Sequence, residues 1–368
     1  MELARRTRWI AYSLPIALVA VAALPRPAPP GVLAAAGMAG ERACAATGEA
    51  AGHGEGAAGG ATAWYRLETV LDADGTLAAR HLVAGRGAGR WTAELPPESF
   101  ASGPVAGRLL VGDDDGHRSR LRLLDTVRGC WSAVGTEDSV IRSALLASDG
   151  HVYEHRVDRA TRRDLGVWAR ELASPEASRP VLGGLDADPA SGPTFSTTLL
   201  LGEGGRIAVS SCGERACRTR VVDPESGAAS PVVRAGPAAA IMASQLVALE
   251  PCEGLPCPML VVNLATGATT SVGPVTGMPV SPPDASGVLV VAGDHGLRVG
   301  RTSDPLHLAE VPGTQQLAPI PRTSTSETGF EAPRGLVAVA PGGSAADPSL
   351  VRLLDPAALK ITAGEVLP

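Results

Sequence analysis

The sequence predicts an all-β chain folded as a β-propeller, and three observations predict it. The stretch from Arg206 to Ser271 holds one unit twice. A shift of forty residues aligns Ile207-Ala208-Val209 with Val247-Ala248-Leu249, Cys212 with Cys252, Cys217 with Cys257, Val221-Val222 with Val261-Val262, Asp223 with Asn263, and Gly227 with Gly267. Second, short apolar runs recur at Tyr65–Leu71, Leu109–Val111, Leu121–Leu124, Ala144–Ala147, Leu199–Leu201, Leu246–Leu249, Val288–Ala292, Leu336–Ala340 and Leu350–Leu354. They are nearly continuous rather than alternating, as strands buried on both faces are. Third, Asp125, Asp158, Asp223, Asn263, Asp304 and Asp355 each close the second strand of a hairpin, at spacings of 33, 65, 40, 41 and 51 residues. Their centre lies at the period of a four-stranded propeller blade, about 40 residues.

Composition agrees. The chain of 368 residues carries 44 glycines and 31 prolines, a frequency that favours many strands and turns over helical bundles. The net charge of -6 leaves no basic surface of the kind nucleic acid demands, so nucleic acid is not an expected partner. Lys360 is the one lysine among 32 basic residues, a bias read as genomic base composition.

Residues 1–36 read as a secretory signal or membrane anchor. Arg5, Arg6 and Arg8 precede an uncharged run from Trp9 to Leu24. That run is shorter than the about 20 residues a membrane span takes, which favours cleavage, with Ala34-Ala35-Ala36 as the site. Membrane attachment through Trp9 to Leu24 is the alternative. Residues 37–61, rich in Ala and Gly, read as a disordered linker. Its Gly54-Glu55-Gly56-Ala57-Ala58-Gly59 has neither a preceding strand nor a following helix and carries no nucleotide-binding meaning. The propeller then runs from 62 to 368, with seven blades at about 62–98, 99–137, 138–175, 180–236, 237–276, 277–313 and 314–366. Counts of six or eight remain open, because the first blade is weak and the gap before Asp223 is long.

The cysteines indicate an oxidising compartment outside the cytoplasm. In each repeat copy, cysteines flank a four-residue hairpin loop, where facing Cβ atoms lie about 4.5 to 5.5 Å apart and a disulfide can close. The expected pairs are Cys212 with Cys217 and Cys252 with Cys257. Each contributes about 2 kcal/mol on the chain-entropy estimate. Cys44 and Cys130 pair by exclusion, pinning the linker to the second blade; a free buried Cys130 is the alternative.

Segments such as Leu121-Arg122-Leu123-Leu124-Asp125, Val221-Val222-Asp223-Pro224-Glu225-Ser226-Gly227 and Val351-Arg352-Leu353-Leu354-Asp355-Pro356 resemble the third strand and turn of WD40, TolB and quinoprotein-like propeller repeats. Ser281-Pro282-Pro283-Asp284 looks like the start of such a blade. The resemblance covers residues 62–368 at the level of fold. The Gly-His and Trp-Asp dipeptides of WD40 proteins are missing, so no partner of that family carries over.

The candidate binding-face loops are the tips bearing Asp113, Asp115 and His117; His151; and Asp294 and His295, together with the long connection carrying Asp186 and Asp188. All are expected on one side, with the loop Pro321–Pro333 exposing Phe330 on the other. Asp-Gly is what a tight hairpin wants, and His151 and His155 are about 13 Å apart on a strand, so no metal is expected. No HExxH, P-loop, calcium loop or Ser-His-Asp set is visible, and Gly342-Gly343-Ser344-Ala345-Ala346 lacks the last glycine of a nucleophile elbow. No catalytic residue or cofactor is predicted. The expected function is an extracytoplasmic, monomeric scaffold that binds a protein, small molecule or carbohydrate in the cell envelope. The alternative is a propeller hydrolase, lyase or quinone-dependent dehydrogenase with its site at the central channel.

Overall fold

The computed structural model describes residues 43–44, 62–86, 89–185, 194–213, 217–242, 244–250, 256–281, 287–301, 304–320, 327–333, 335–341 and 350–362. The chain is a seven-bladed β-propeller. Blade 1 contains β1 (Ala63–Leu71), β2 (Leu77–Arg86) and β3 (Gly89–Leu95). Blade 2 is β4 (Phe100–Val105), β5 (Arg108–Asp114), β6 (Ser119–Asp125) and β7 (Cys130–Glu137). Blade 3 is β8 (Val140–Leu146), β9 (His151–Val157), β10 (Asp164–Glu171) and β11 (Ser174–Leu182). Blade 4 has β12 (Thr194–Leu201), β13 (Ile207–Gly213) and β14 (Cys217–Val222); blade 5 has β15 (Ala238–Met242), β16 (Gln245–Leu249), β17 (Cys257–Asn263) and β18 (Thr269–Val275). Blade 6 has β19 (Val288–Gly293), β20 (Gly296–Arg301) and β21 (Asp304–Glu310). In blade 7, β22 (Leu317–Pro319), β24 (Val337–Pro341), β25 (Arg352–Asp355) and β26 (Lys360–Thr362) pair, while β23 (Thr328–Phe330) leaves for blade 1. Single bridges complete blades 4 and 6: Val233 and Ala229 flank β14 on the outside, and Val280 flanks β19 on the inside.

The continuous apolar runs follow from this arrangement. Successive side chains of a strand point to opposite faces of the sheet, and each face meets a neighbouring blade. Leu109 and Val111 enter the seam between blades 1 and 2, while Leu110 between them enters the seam between blades 2 and 3. Among the described residues the buried apolar side chains form seven clusters, one at each seam of the ring.

Ring closure departs from the expected boundaries. Blade 1 has no inner strand of its own, and β23, from within the seventh blade's segment, supplies it. The register is Trp64 with Phe330, Tyr65 with Gly329 and Arg66 with Thr328. Beyond the paired residues, Leu67 N donates to Glu327 O at 2.7 Å and Glu331 N to Ala63 O at 2.9 Å. The loop expected to expose Phe330 therefore buries it, at 3% exposure, in the seam between blades 7 and 1. Gly329 is needed there, since a Cβ would lie 2.2 Å from both Gly103 O and the Tyr65 ring.

The Asp and Asn turns share one geometry. Asp125, Asp223, Asn263 and Asp355 each accept the amides two and three residues on, and the chain turns into the fourth strand. Asp158 builds a similar turn, its carboxylate accepting the amide and hydroxyl of Thr161, but it joins the second and third strands of blade 3. It is out of phase with the others, which explains the irregular spacings on either side of it. The fifth turn residue is left-handed each time: Gly129, Gly227 and Gly267, but Arg162 (φ 58°) and Leu359 (φ 50°) in the other two.

Cys44 is bonded to Cys130 and Cys212 to Cys217, as the sequence predicts, and Cys257 is also disulfide-bonded. Cys252 lies outside the described residues, as do residues 1–42 and 45–61 with the expected signal and most of the linker, Asp186, Asp188 and the glycine-rich segment at 342–346. Ala43 bridges Trp131 in parallel, and Cys44 N donates to Trp131 O at 2.9 Å, so these two residues lie along the outer edge of blade 2. Among the described residues no helix is long and apolar enough to cross a membrane.

Two substitutions test these points by chemical denaturation. Arg162→Gly, at an exposed position, should stabilise the protein by about 0.5 to 1 kcal/mol by removing the left-handed penalty of a residue with a Cβ. Gly329→Val should cost about 3 kcal/mol or more, because the clash falls on backbone and a buried ring at the closure.

Candidate functional site

Alternate strand direction sorts the turns onto two faces. The upper face carries the second-to-third turns and the connections between blades; the lower face carries the first-to-second and third-to-fourth turns. Side chains confirm the sorting on the upper face. The Arg159 guanidinium, on the β9–β10 turn, donates to both carboxylate oxygens of Asp114 on the β5–β6 turn at 2.8 Å each, and its Nε donates to Asp138 O at 3.0 Å. On the lower face, Leu172 N donates to Gly150 O at 3.0 Å, joining the β10–β11 and β8–β9 turns.

The predicted loop residues do not gather at one point. Asp113 is buried, at 2% exposure, and accepts from Arg120 Nε at 2.8 Å and Arg122 Nη2 at 2.9 Å, so its charge is spent inside blade 2. Arg122 also lies over the Trp131 ring, 4.8 Å from its centroid. Asp115 accepts the amides of Arg118 (2.8 Å) and His117 (2.9 Å), which hold its carboxyl below the usual carboxylate range. His117 is exposed on the upper face, and so are Asp294 and His295, far round the ring on blade 6. His151 is placed differently from the expectation. Its turn joins the first and second strands of blade 3, which puts it on the lower face, where its ring nitrogens meet Asp149 (3.2 Å) and Glu171 (3.7 Å). Asp-Gly tips look alike whichever pair of strands they join, so the local sequence holds no signal of the face.

Several residues gain weight only in the structure. The side chains of His155 and Asp164 are both fully buried, and Nε2 of the ring lies 2.8 Å from Asp164 Oδ1. The same carboxylate accepts Gly166 N at 2.6 Å and Leu185 N at 3.1 Å. Burial by itself pushes the Asp164 carboxyl up, but the His155 ring and the two amides outweigh it and hold the group below its ordinary value. On the opposite side of blade 3, Glu154 takes Arg156 Nε at 2.9 Å and Arg170 Nε at 2.7 Å, and Glu137 of blade 2 takes Arg156 Nη2 at 2.8 Å and Arg170 Nη2. These charges are paired with one another within the seam.

Around the axis run the innermost strands β23, β4, β8, β12, β15 and β22. Among their described residues Arg142 is the one charged side chain, and it donates to Glu98 at 3.0 Å. Ser143 and Thr197, on β8 and β12, bond to each other at 2.9 Å. Among the described residues no group of three or more His, Cys, Asp or Glu is placed to hold a metal ion.

No family model matches the chain, and no curated protein matches it. Solved propellers are similar to it in fold. TolB from Acinetobacter baumannii is 13% identical across 73% of this chain and 66% of its own, with a TM-score of 0.43. BamB from Moraxella catarrhalis is 13% identical across 78% and 83%, with a TM-score of 0.40. An oligogalacturonate lyase in complex with manganese is 12% identical across 81% and 83%, with a TM-score of 0.48. The chain thus spans about two thirds of TolB.

Because the folded-state carboxyl of Asp164 sits below its ordinary value, its contribution to stability is complete above the ordinary carboxylate pKa, about 3.9, and is lost as the pH falls below it. Asp164→Asn keeps one acceptor but turns an amide donor toward the Leu185 N–H. It should cost about 2 kcal/mol at neutral pH and flatten the acid limb of stability between about pH 4 and pH 2, read from denaturation midpoints across that range.

Proposed function

We propose that the protein is a binding scaffold of the cell envelope, acting outside the cytoplasm through the loop surfaces of the propeller and not through chemistry at its axis. The observation that carries the reading is the axis itself. Its described inner strands carry one charged side chain, Arg142, and Glu98 engages it. General acid–base or metal-assisted chemistry needs titratable groups converging on one reacting atom. The described Asp and His residues are instead spread over two faces, held in turns or paired in seams. The disulfides Cys44–Cys130 and Cys212–Cys217 support a compartment outside the reducing cytoplasm, and the expected ligand is a protein, small molecule or carbohydrate met there. Monomeric behaviour is part of the same reading, since a closed ring leaves no inner sheet edge to pair with a second copy.

Native mass spectrometry of the full chain, recovered from its host's envelope fraction with and without reductant, tests this. An oxidised monomer carrying a second protein or a non-covalent ligand is expected. A fully reduced chain, or one that travels alone and turns over a substrate, would overturn it.

A further inference from the structure

The lower end of the seam between blades 3 and 4 has a polar group that no described residue engages. Tyr153 on β9 is buried to 4% exposure, and its ring packs in the seam cluster with Val222 and Ile207 of blade 4. Among the described residues no partner hydrogen-bonds its hydroxyl. The His151 ring lies nearly parallel to it, with centroids 6.1 Å apart and planes 21° apart, and so holds it in place.

Asp149, Asp223 and Glu225 act electrostatically on this phenol from turns of two blades, and Glu171 joins them through the His151 ring. Asp149 lies on the first-to-second turn of blade 3, and Glu171, opposite His151 in the β9–β10 register, begins the third-to-fourth turn. Asp223 and Glu225 come from the third-to-fourth turn of blade 4, next to Val222 in the same cluster. The basic groups nearby are Arg179, in the cross-strand row Tyr153–Ala169–Arg179, and Arg206, which acts on Asp223; His151 sits between Asp149 and Glu171. Among the described residues four carboxylates thus meet two arginines and one histidine, which leaves the patch acidic. Consistently, burial first and then the nearby carboxylates push the Tyr153 phenol up to about 12, with Arg179 opposing them.

We infer that this seam end is a docking point for a basic side chain of a protein partner, an arginine above all. The chemistry selects the occupant. A phenol oxygen offers lone pairs to an N–H donor, and exposed carboxylates at spread positions suit a planar guanidinium with its donors in a fork. A compact metal ion suits the patch poorly. Asp149 Oδ1 and Asp223 Oδ1 already accept amides of their own turns, and no group of three or more metal-type ligands converges among the described residues. The inference rests on the scaffold reading and gives it a face and a partner chemistry.

The test titrates the full oxidised chain with acetyl-triarginine amide by calorimetry at low salt, with acetyl-triglutamate amide as the control. Because the probe is synthetic, the result does not depend on recovering the native partner. The triarginine peptide should bind and the triglutamate should not, and binding should weaken as salt is raised. Tyr153→Phe, which keeps the buried ring, should weaken binding roughly threefold to tenfold, the worth of one hydrogen bond. The double variant Asp149→Asn, Glu225→Gln alters exposed groups only and should weaken it by at least as much, while Asp115→Asn on the upper face should bind as wild type does. Wild-type affinity in both Tyr153→Phe and the double variant, absence of peptide binding, or displacement of the peptide by millimolar calcium or magnesium at constant ionic strength would overturn the assignment.

Discussion

A sheet with apolar side chains on both faces cannot stop, and this constraint governs the whole molecule. Each blade needs a neighbour on either side, so the stack must curve until its last face meets its first. The closure rests on three residues, Thr328, Gly329 and Phe330, paired with the edge of β1. Phe330 then fills the seam between blades 7 and 1 beside Trp64, and Gly329 lets the strand lie against Tyr65 and Gly103. Polar contacts secure both ends of the junction: Glu327 pairs with Arg80 at 3.3 Å, and Glu331 accepts the amide of Gly107 at 2.9 Å.

Once the ring is closed, seam chemistry sets how the blades sit. Every seam has its hydrophobic cluster, but the neighbourhood of blade 3 adds buried charge. Between blades 2 and 3, Glu137, Glu154, Arg156 and Arg170 form a four-membered charge network, and Gly135 makes room for it: a Cβ there would lie 2.6 Å from the Arg170 Cζ. Arg156 lies over the Trp168 ring as well, 4.5 Å from its centroid. Buried pairs of this kind add little net stability, but removing one partner leaves an uncompensated charge and is costly. Blade 3 is therefore held in one position against blade 2, and the His155–Asp164 pair does the same toward the start of the connection to blade 4. That rigidity is what keeps the turns on the lower face of blades 3 and 4, and the Tyr153 hydroxyl among them, in fixed relation.

The fold was largely legible because its signals are local. Apolar continuity reports two-sided burial, Asp or Asn followed by glycine four residues later reports a turn, and cysteines across a four-residue loop report a hairpin, as Cys212 and Cys217 show in their paired register. The candidate site was much less legible. Asp113 and Asp115 stand two residues apart in one tip, yet one is buried between two arginines and the other lies in a solvent-exposed turn. Glu154 and Arg156 read as ordinary alternating polar residues of a strand, and nothing near them in sequence announces that blade 2 covers that face.

The amino-acid sequence by itself determined the blade as a unit, its period, the turn between its outer strands and the Cys212–Cys217 hairpin, because each depends on residues within about one blade of one another. Only the tertiary structure decided which segment closes the ring, which Asp-Gly tips share a face and which charges are buried. Those outcomes depend on contacts such as Arg80 with Glu327, 247 residues apart. A strand's place within its blade depends on where the inner strand begins, and in blade 1 that strand comes from the far end of the chain. The same Asp-Gly turn therefore serves on either face, and only the assembled ring says which.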